Sequence, residues 1–237
     1  MNVQTFLKRV NYALRGTDDD VPTATDDDGK YWIETFNRKK DEMYDDTTKN
    51  WRSAFDDDTD GKAKITGGTI AAAARPSFNL PESFLAPAES AIVVDTDGQY
   101  HYFDVVEPAE ADRRVQSVYI SGQNPQKLKF SAEIEADSVL VGGTLYLPGY
   151  YRPDDLDPED PAFDEETAII PVDDANWGVM ATAAQVAFND ITYEEKFDDL
   201  EGQAGILWKN MVKANRKRGR KNPKTTPYAV KRIRGVR

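Results

Sequence analysis

The chain has 237 residues, no cysteine, one histidine, and 42 Asp+Glu against 30 Lys+Arg, for a net charge of -12. It is long enough for one substantial core or two modest ones, and the lack of cysteine excludes disulfides and thiolate metal sites. No run approaches the roughly 18 to 20 apolar residues of a membrane span, so no membrane partner is expected. Asp outnumbers Glu by 28 to 14, a carboxylate-dense composition that stays soluble when salt screens self-repulsion, which suits a halophilic host as well as a mesophilic protein that repels polyanions.

Val3, Phe6, Leu7, Val10 and Leu14 share one helical face, and Gly16 follows as a stop signal. Nothing in this first helix resembles the apolar core of a signal peptide, so secretion by that route is not expected. Residues 17–29 hold two Asp triplets with no apolar period and read as a solvated loop. A second helix is predicted from about Lys30 to Phe55, with Trp32, Ile33, Phe36, Met43, Tyr44, Trp51 and Phe55 as its apolar stripe. At 1.5 Å per residue it would be a rod of up to about 39 Å. Core packing explains this stripe better than a stacking platform for single-stranded nucleic acid, because the residues follow the helical period.

From Lys62 to Pro148 short β-type runs alternate with Gly, Pro, Asn and Asp: residues 65–73, 91–94, 100–106, 115–120, 128–134 and 139–147. Asp97-Gly98 between two such runs predicts a hairpin. Residues 152–166, rich in Asp and Pro, read as a loop, and Asp173 and Asp174 are candidate N-caps. A third helix carries Trp177, Met180, Ala181, Ala184, Ala187, Phe188 and Ile191, and a fourth Phe197, Leu200, Ala204, Leu207, Trp208 and Met211. The predicted fold is α+β. A helical bundle would form from residues 1–61 and 169–215, a β-rich antiparallel insertion from 62–168, and an extended basic arm from 216–237.

That arm is the sharpest feature of the sequence. The last 24 residues hold ten basic and no acidic side chains, while the first 213 hold 20 Lys+Arg against 42 Asp+Glu. Pro223 and Pro227 disfavour helix there, and segregated charge of this kind marks an interaction tail. Tyr228, Val230, Ile233 and Val236 punctuate it, and a purely solubilising tail has no use for apolar residues at intervals.

The segments I-I-P-V-D-D, W-G-V-M-A-T-A-A-Q-V-A-F-N-D, Y-E-E-K-F-D-D-L-E-G-Q-A and L-W-K-N-M-V-K-A-N-R, together running from Ile169 to about Asn215, resemble the closing helices of head-to-tail adaptor (connector, or neck) proteins of tailed phages and tailed archaeal viruses. The N-terminal N-V-Q-T-F-L-K-R-V-N, the β-rich middle and the basic end resemble that family in plan. The resemblance implies a virion structural protein of the neck between capsid and tail, assembled in the host cytoplasm as a ring, usually of twelve copies. It implies contacts with the portal protein and with the next neck or tail-tube ring. Passing duplex DNA would cross an acidic lumen without specific binding. The arm would hold the portal through Arg216, Arg218, Arg220, Lys221, Lys224, Lys231, Arg232 and Arg234, with Tyr228, Val230 and Ile233 filling apolar grooves. The alternatives are a DNA-binding accessory protein that uses the same arm, and another minor capsid or tail-completion protein.

No enzymatic signature is found. His101, between Tyr100 and Tyr102 in a predicted strand, is too isolated to supply a relay or a histidine-rich metal centre. Gly67-Gly68 and Gly142-Gly143 lack the Lys-Ser/Thr ending of a phosphate loop. No cofactor is expected. The one cation pattern, Asp56-x-Asp58-x-Asp60-Gly61, begins like a calcium loop but has Gly67 at the twelfth position, where a bidentate Glu belongs.

Overall fold

The structure, a computed structural model, describes residues 1–45, 51, 54–58, 61–73, 75–122 and 125–219, with 216–219 by backbone alone. Helix α1 (Val3–Arg15) starts where the Asn2 side chain accepts the Thr5 amide at 3.0 Å. It stops where Gly16, at φ 76°, donates its amide to the Tyr12 carbonyl. Val3, Phe6, Leu7, Val10 and Leu14 are fully buried, each contributing about 1.5 to 3 kcal/mol of apolar burial. Helix α2 (Asp27–Asp45) begins inside the second Asp triplet, because carboxylates at Asp27 and Asp28 are favoured beside the exposed amides of a helix N-terminus. It ends at Asp45, and Phe55–Asp56 form strand β1, so the predicted single rod from Lys30 to Phe55 does not form.

The expected helical bundle with a small inserted antiparallel module is overturned. The fold is mixed α/β, with four helices and ten strands among the described residues, and its strands make two sheets, one of them large. The larger sheet has seven strands in the order β2 (Lys64–Thr69), β9 (Thr144–Tyr146), β5 (Ser90–Val94), β6 (Tyr100–Val106), β7 (Ser117–Ser121), β8 (Lys127–Phe130) and β3 (Ser77–Asn79). Its edge strands β2 and β3 approach each other, so the sheet curls into a nearly closed barrel around Ile65, Val93, Phe103, Val118, Leu128, Phe130 and Leu145. Strands β6 and β7 run parallel, which a purely antiparallel module does not allow. The second sheet joins β1, β10 (Gly149–Tyr151) and β4 (Phe84–Pro87). Strands β1, β3, β4 and β10 are two to four residues long, too short to print an alternating pattern, and they are the ones the sequence did not disclose.

Helix α3 (Ala175–Asn189) is capped by Asp174, whose carboxylate accepts the Asn176 amide at 3.0 Å. It packs against α1, α2 and α4 (Phe197–Gly219), and is accordingly buried on nearly every side, from Trp177 to Ala187. A Cβ at Gly178 would stand 3.0 Å from the Phe36 ring, so α2 and α3 meet at that glycine. One apolar core links α1, α2 and α3. A second gathers Met43, Tyr44, Trp51, Trp177 and Met211, and the small sheet reaches it through Leu85 and Tyr150. Trp208 packs between Trp51 and Trp177 with tilted rings, at centroid distances of 5.3 and 5.5 Å. The acidic loop after β10 is pinned by Lys40, which is fully buried and donates to the carbonyls of Pro153 and Asp154 and to the Asp155 carboxylate.

Candidate partner-binding surfaces

Helix α4 continues to Gly219, so Arg216 and Arg218 stand on helical backbone and the arm is not extended at its start. The sequence there, K-A-N-R-K-R-G, contains no proline to stop the helix. Arg220, Lys221, Lys224, Tyr228, Val230, Lys231, Arg232, Ile233 and Arg234 lie outside the described residues. The inner half of α4 is fixed to the body through buried Leu200, Ala204 and Met211.

The Asp56 carboxylate closes its own turn: Oδ1 accepts the Asp58 amide at 2.8 Å and Oδ2 the Lys62 amide at 2.7 Å. Asp60 lies outside the described residues, and no group of three or more His, Asp or Glu among the described residues is placed to hold a metal. Trp32, Phe36, Tyr44 and Trp51 are buried. Phe55 is partly exposed and packs edge-on to Tyr150.

Three surfaces remain with the chemistry to meet a partner. One is the acidic corner between α3 and α4. A 3-10 turn, Ile191–Lys196, joins the two helices, and residues 190–201 carry Asp190, Glu194, Glu195, Asp198, Asp199 and Glu201. The Thr192 amide at 2.9 Å holds the Asp190 carboxyl below its ordinary value. Lys196, the only cation in that stretch, is spent on the Leu14 carbonyl at the end of α1, 2.6 Å away. From this acidic stretch protrude Ile191, 86% exposed, and Phe188, 66% exposed and packed with its ring tilted against Phe197 at 5.3 Å. The sequence pattern placed both on the buried face of the third helix. The helix ends at Asn189, however, and the 3-10 turn carries Ile191 out into solvent.

A second surface is the outer face of the seven-stranded sheet. Ala91, Val93, Phe103, Leu145 and Leu147 are buried, so the alternate residues Ile92, Val94, Tyr100, Tyr102 and Tyr146 face outward. Ile92 lies between Tyr102 and Tyr146 across the strands, and Val94 opposite Tyr100, at the roughly 4.5 to 5.5 Å spacing of direct cross-strand pairs. Lys64 continues the first row beside Tyr146, and Lys127 and Lys129 stand farther round on β8. The seven strands contain one carboxylate, Asp104, and Arg114 sits 3.6 Å from it. The residue alternation I-V-V and Y-H-Y-F was visible in the sequence. Which half of it faced solvent was not.

His101 closes the β5–β6 hairpin rather than a catalytic site: Nε2 lies 2.8 Å from Asp95 Oδ2, while Asp95 Oδ1 accepts the amides of Asp97 and Gln99. These contacts, the histidine first, hold the Asp95 carboxyl below its usual range. The third surface is an open groove of about 790 Å³ between α1 and α4, floored by Val179, Met180 and Leu200. Arg9 crosses its wall to bond Asn176 at 2.7 Å. No known protein family and no curated protein matches the chain.

Proposed function

We propose that the chain is a virion structural protein, a head-to-tail adaptor whose copies form a ring in the neck, dock on the portal and surround the passing DNA. The observation that carries this reading is α4: its inner half is anchored in the core of a carboxylate-rich body, and its outer end leads into the cationic terminus. A helix rooted in that way fixes where on the body the cationic segment starts. Charge gives the two parts opposite tasks. The body, at -22 over its first 213 residues, repels phosphates and lets duplex slide past. The arm pairs Arg216, Arg218, Arg220, Lys221, Lys224, Lys231, Arg232 and Arg234 with portal carboxylates and seats Tyr228, Val230 and Ile233 in apolar grooves. Repetition of the arm around a ring converts modest single affinities into firm attachment.

Removal of residues 225–237 tests this directly. The truncated chain is expected to keep its unfolding midpoint and to lose association with the portal of the same virus, read by native mass spectrometry. Undiminished portal association would refute the arm's role. Salt-sensitive retardation of DNA by a monomer that ignores the portal would instead support a DNA-binding accessory protein.

A further inference from the structure

We propose that the outer face of the seven-stranded sheet binds the acidic α3–α4 corner of a second copy of this chain, head to tail. The two surfaces match in two independent respects. The corner offers an apolar knob, Phe188 and Ile191, inside a carboxylate rim. The sheet offers an uncharged bed of Ile92, Val94, Tyr100, Tyr102 and Tyr146 with Lys64 at its side. Tyrosine on the outside of the curled sheet supplies large contact area at little entropic cost, together with a hydroxyl for the polar rim. Charge selects the partner. A body with this excess of carboxylate repels its own copies over most of its surface. Beside the bed stand Lys64 and a single carboxylate, Asp104, which has Arg114 at 3.6 Å, so this is where another copy's acidic corner can approach with least repulsion.

Knob and bed are different surfaces of one chain, so the contact is heterologous and propagates. Each copy uses its corner on one neighbour and its sheet on the other, and closure of that series gives a ring. The inference rests on the adaptor reading for closure alone.

The absence of cysteine makes a clean test possible. Ile191→Cys and Tyr102→Cys variants of the full chain, mixed and treated with a short bis-maleimide, are expected to give a cross-linked dimer. The double variant is expected to give a ladder, and either single variant alone nothing. Ile191→Asp, at a position too exposed to unsettle the fold, is expected to weaken self-association about 30-fold by sedimentation, the effect of losing one interface hot spot. The proposal is overturned if the wild type remains monomeric at about 1 mM, or if cross-links form only between like positions. It is overturned also if Tyr102→Glu leaves association intact but abolishes binding of a single-stranded oligonucleotide, which would give the face to nucleic acid. A ladder formed by a chain that ignores the portal would sink the adaptor reading and leave this contact standing. Portal binding without a 191–102 cross-link would do the reverse.

Discussion

The helical half and the sheet half solve the same surface problem in opposite ways. Residues 62–147 carry seven Lys+Arg and eleven Asp+Glu, whereas residues 1–61 and 148–213 together carry 13 and 31. The helices hide a continuous apolar interior around α3 and cover it with carboxylates, many in loops and first turns where backbone amides welcome them. The curled sheet hides one apolar face and shows tyrosine, serine, threonine and lysine on the other. Acidity is therefore concentrated in the helical half, and the sheet half carries only a small excess of carboxylate. A surface spared from it is informative in a chain that places carboxylates so freely elsewhere.

The two halves meet at the small sheet and the tryptophan cluster, and the largest effect is expected there. Trp51 is buried, donates its indole N–H to the Met43 carbonyl at 3.0 Å and packs against Trp208. Trp51→Ala is expected to cost about 3 to 5 kcal/mol, measured by urea denaturation followed separately by tryptophan fluorescence and far-ultraviolet circular dichroism. If the halves are energetically one, both signals shift together. If they part into two transitions, the comparison sharpens into two folding units.

A smaller effect is expected at the loop that supplies much of the acidity. Lys40→Met leaves the carbonyls of Pro153 and Asp154 without their buried donor, for a loss of about 1 to 3 kcal/mol. Hydrogen exchange in residues 152–156 should rise while the seven-stranded sheet keeps its protection. Equal loosening of both regions would contradict the separation drawn here.

The smallest effect belongs to the sheet's own hairpin. The folded Asp95 carboxyl has a depressed pKa. Its contribution to stability is therefore present above the unfolded value of about 3.9 and is lost as pH falls through the lower folded value. Asp95→Asn is expected to lower the unfolding midpoint at pH 7, and the gap from wild type should shrink as pH drops below about 4. A gap that stays constant with pH would assign the effect to hydrogen bonding alone.

Much of the helical half was legible in advance. The buried stripe of α1, the cap at Asp174 and the stop at Gly16 follow from local preferences that neighbouring residues express together. The Asp97-Gly98 hairpin was legible for the same reason, since Gly98 adopts φ 78° where a side chain would be strained. The β half was read too modestly. Four of its strands carry too few residues for a period, and the parallel pairing of β6 with β7 depends on where residues 107–116 return the chain. Ile191 was misplaced because a periodic pattern does not announce the residue at which the helix stops. The basic C-terminal segment was visible as a run of charge, but the tyrosine bed was hidden among ordinary strand residues.

Sequence alone determined the sign of the charge along the chain, the amphipathic faces of the helices and the chemistry available to the arm, because each of these is local. Only the tertiary structure decided that the sheet curls on itself, that Tyr102 and Tyr146 flank Ile92 on its outside, and that Ile191 protrudes from an acidic corner. Those facts depend on strand partners distant in sequence. A side chain's face in a sheet is fixed by what covers the opposite face, and no single strand carries that information.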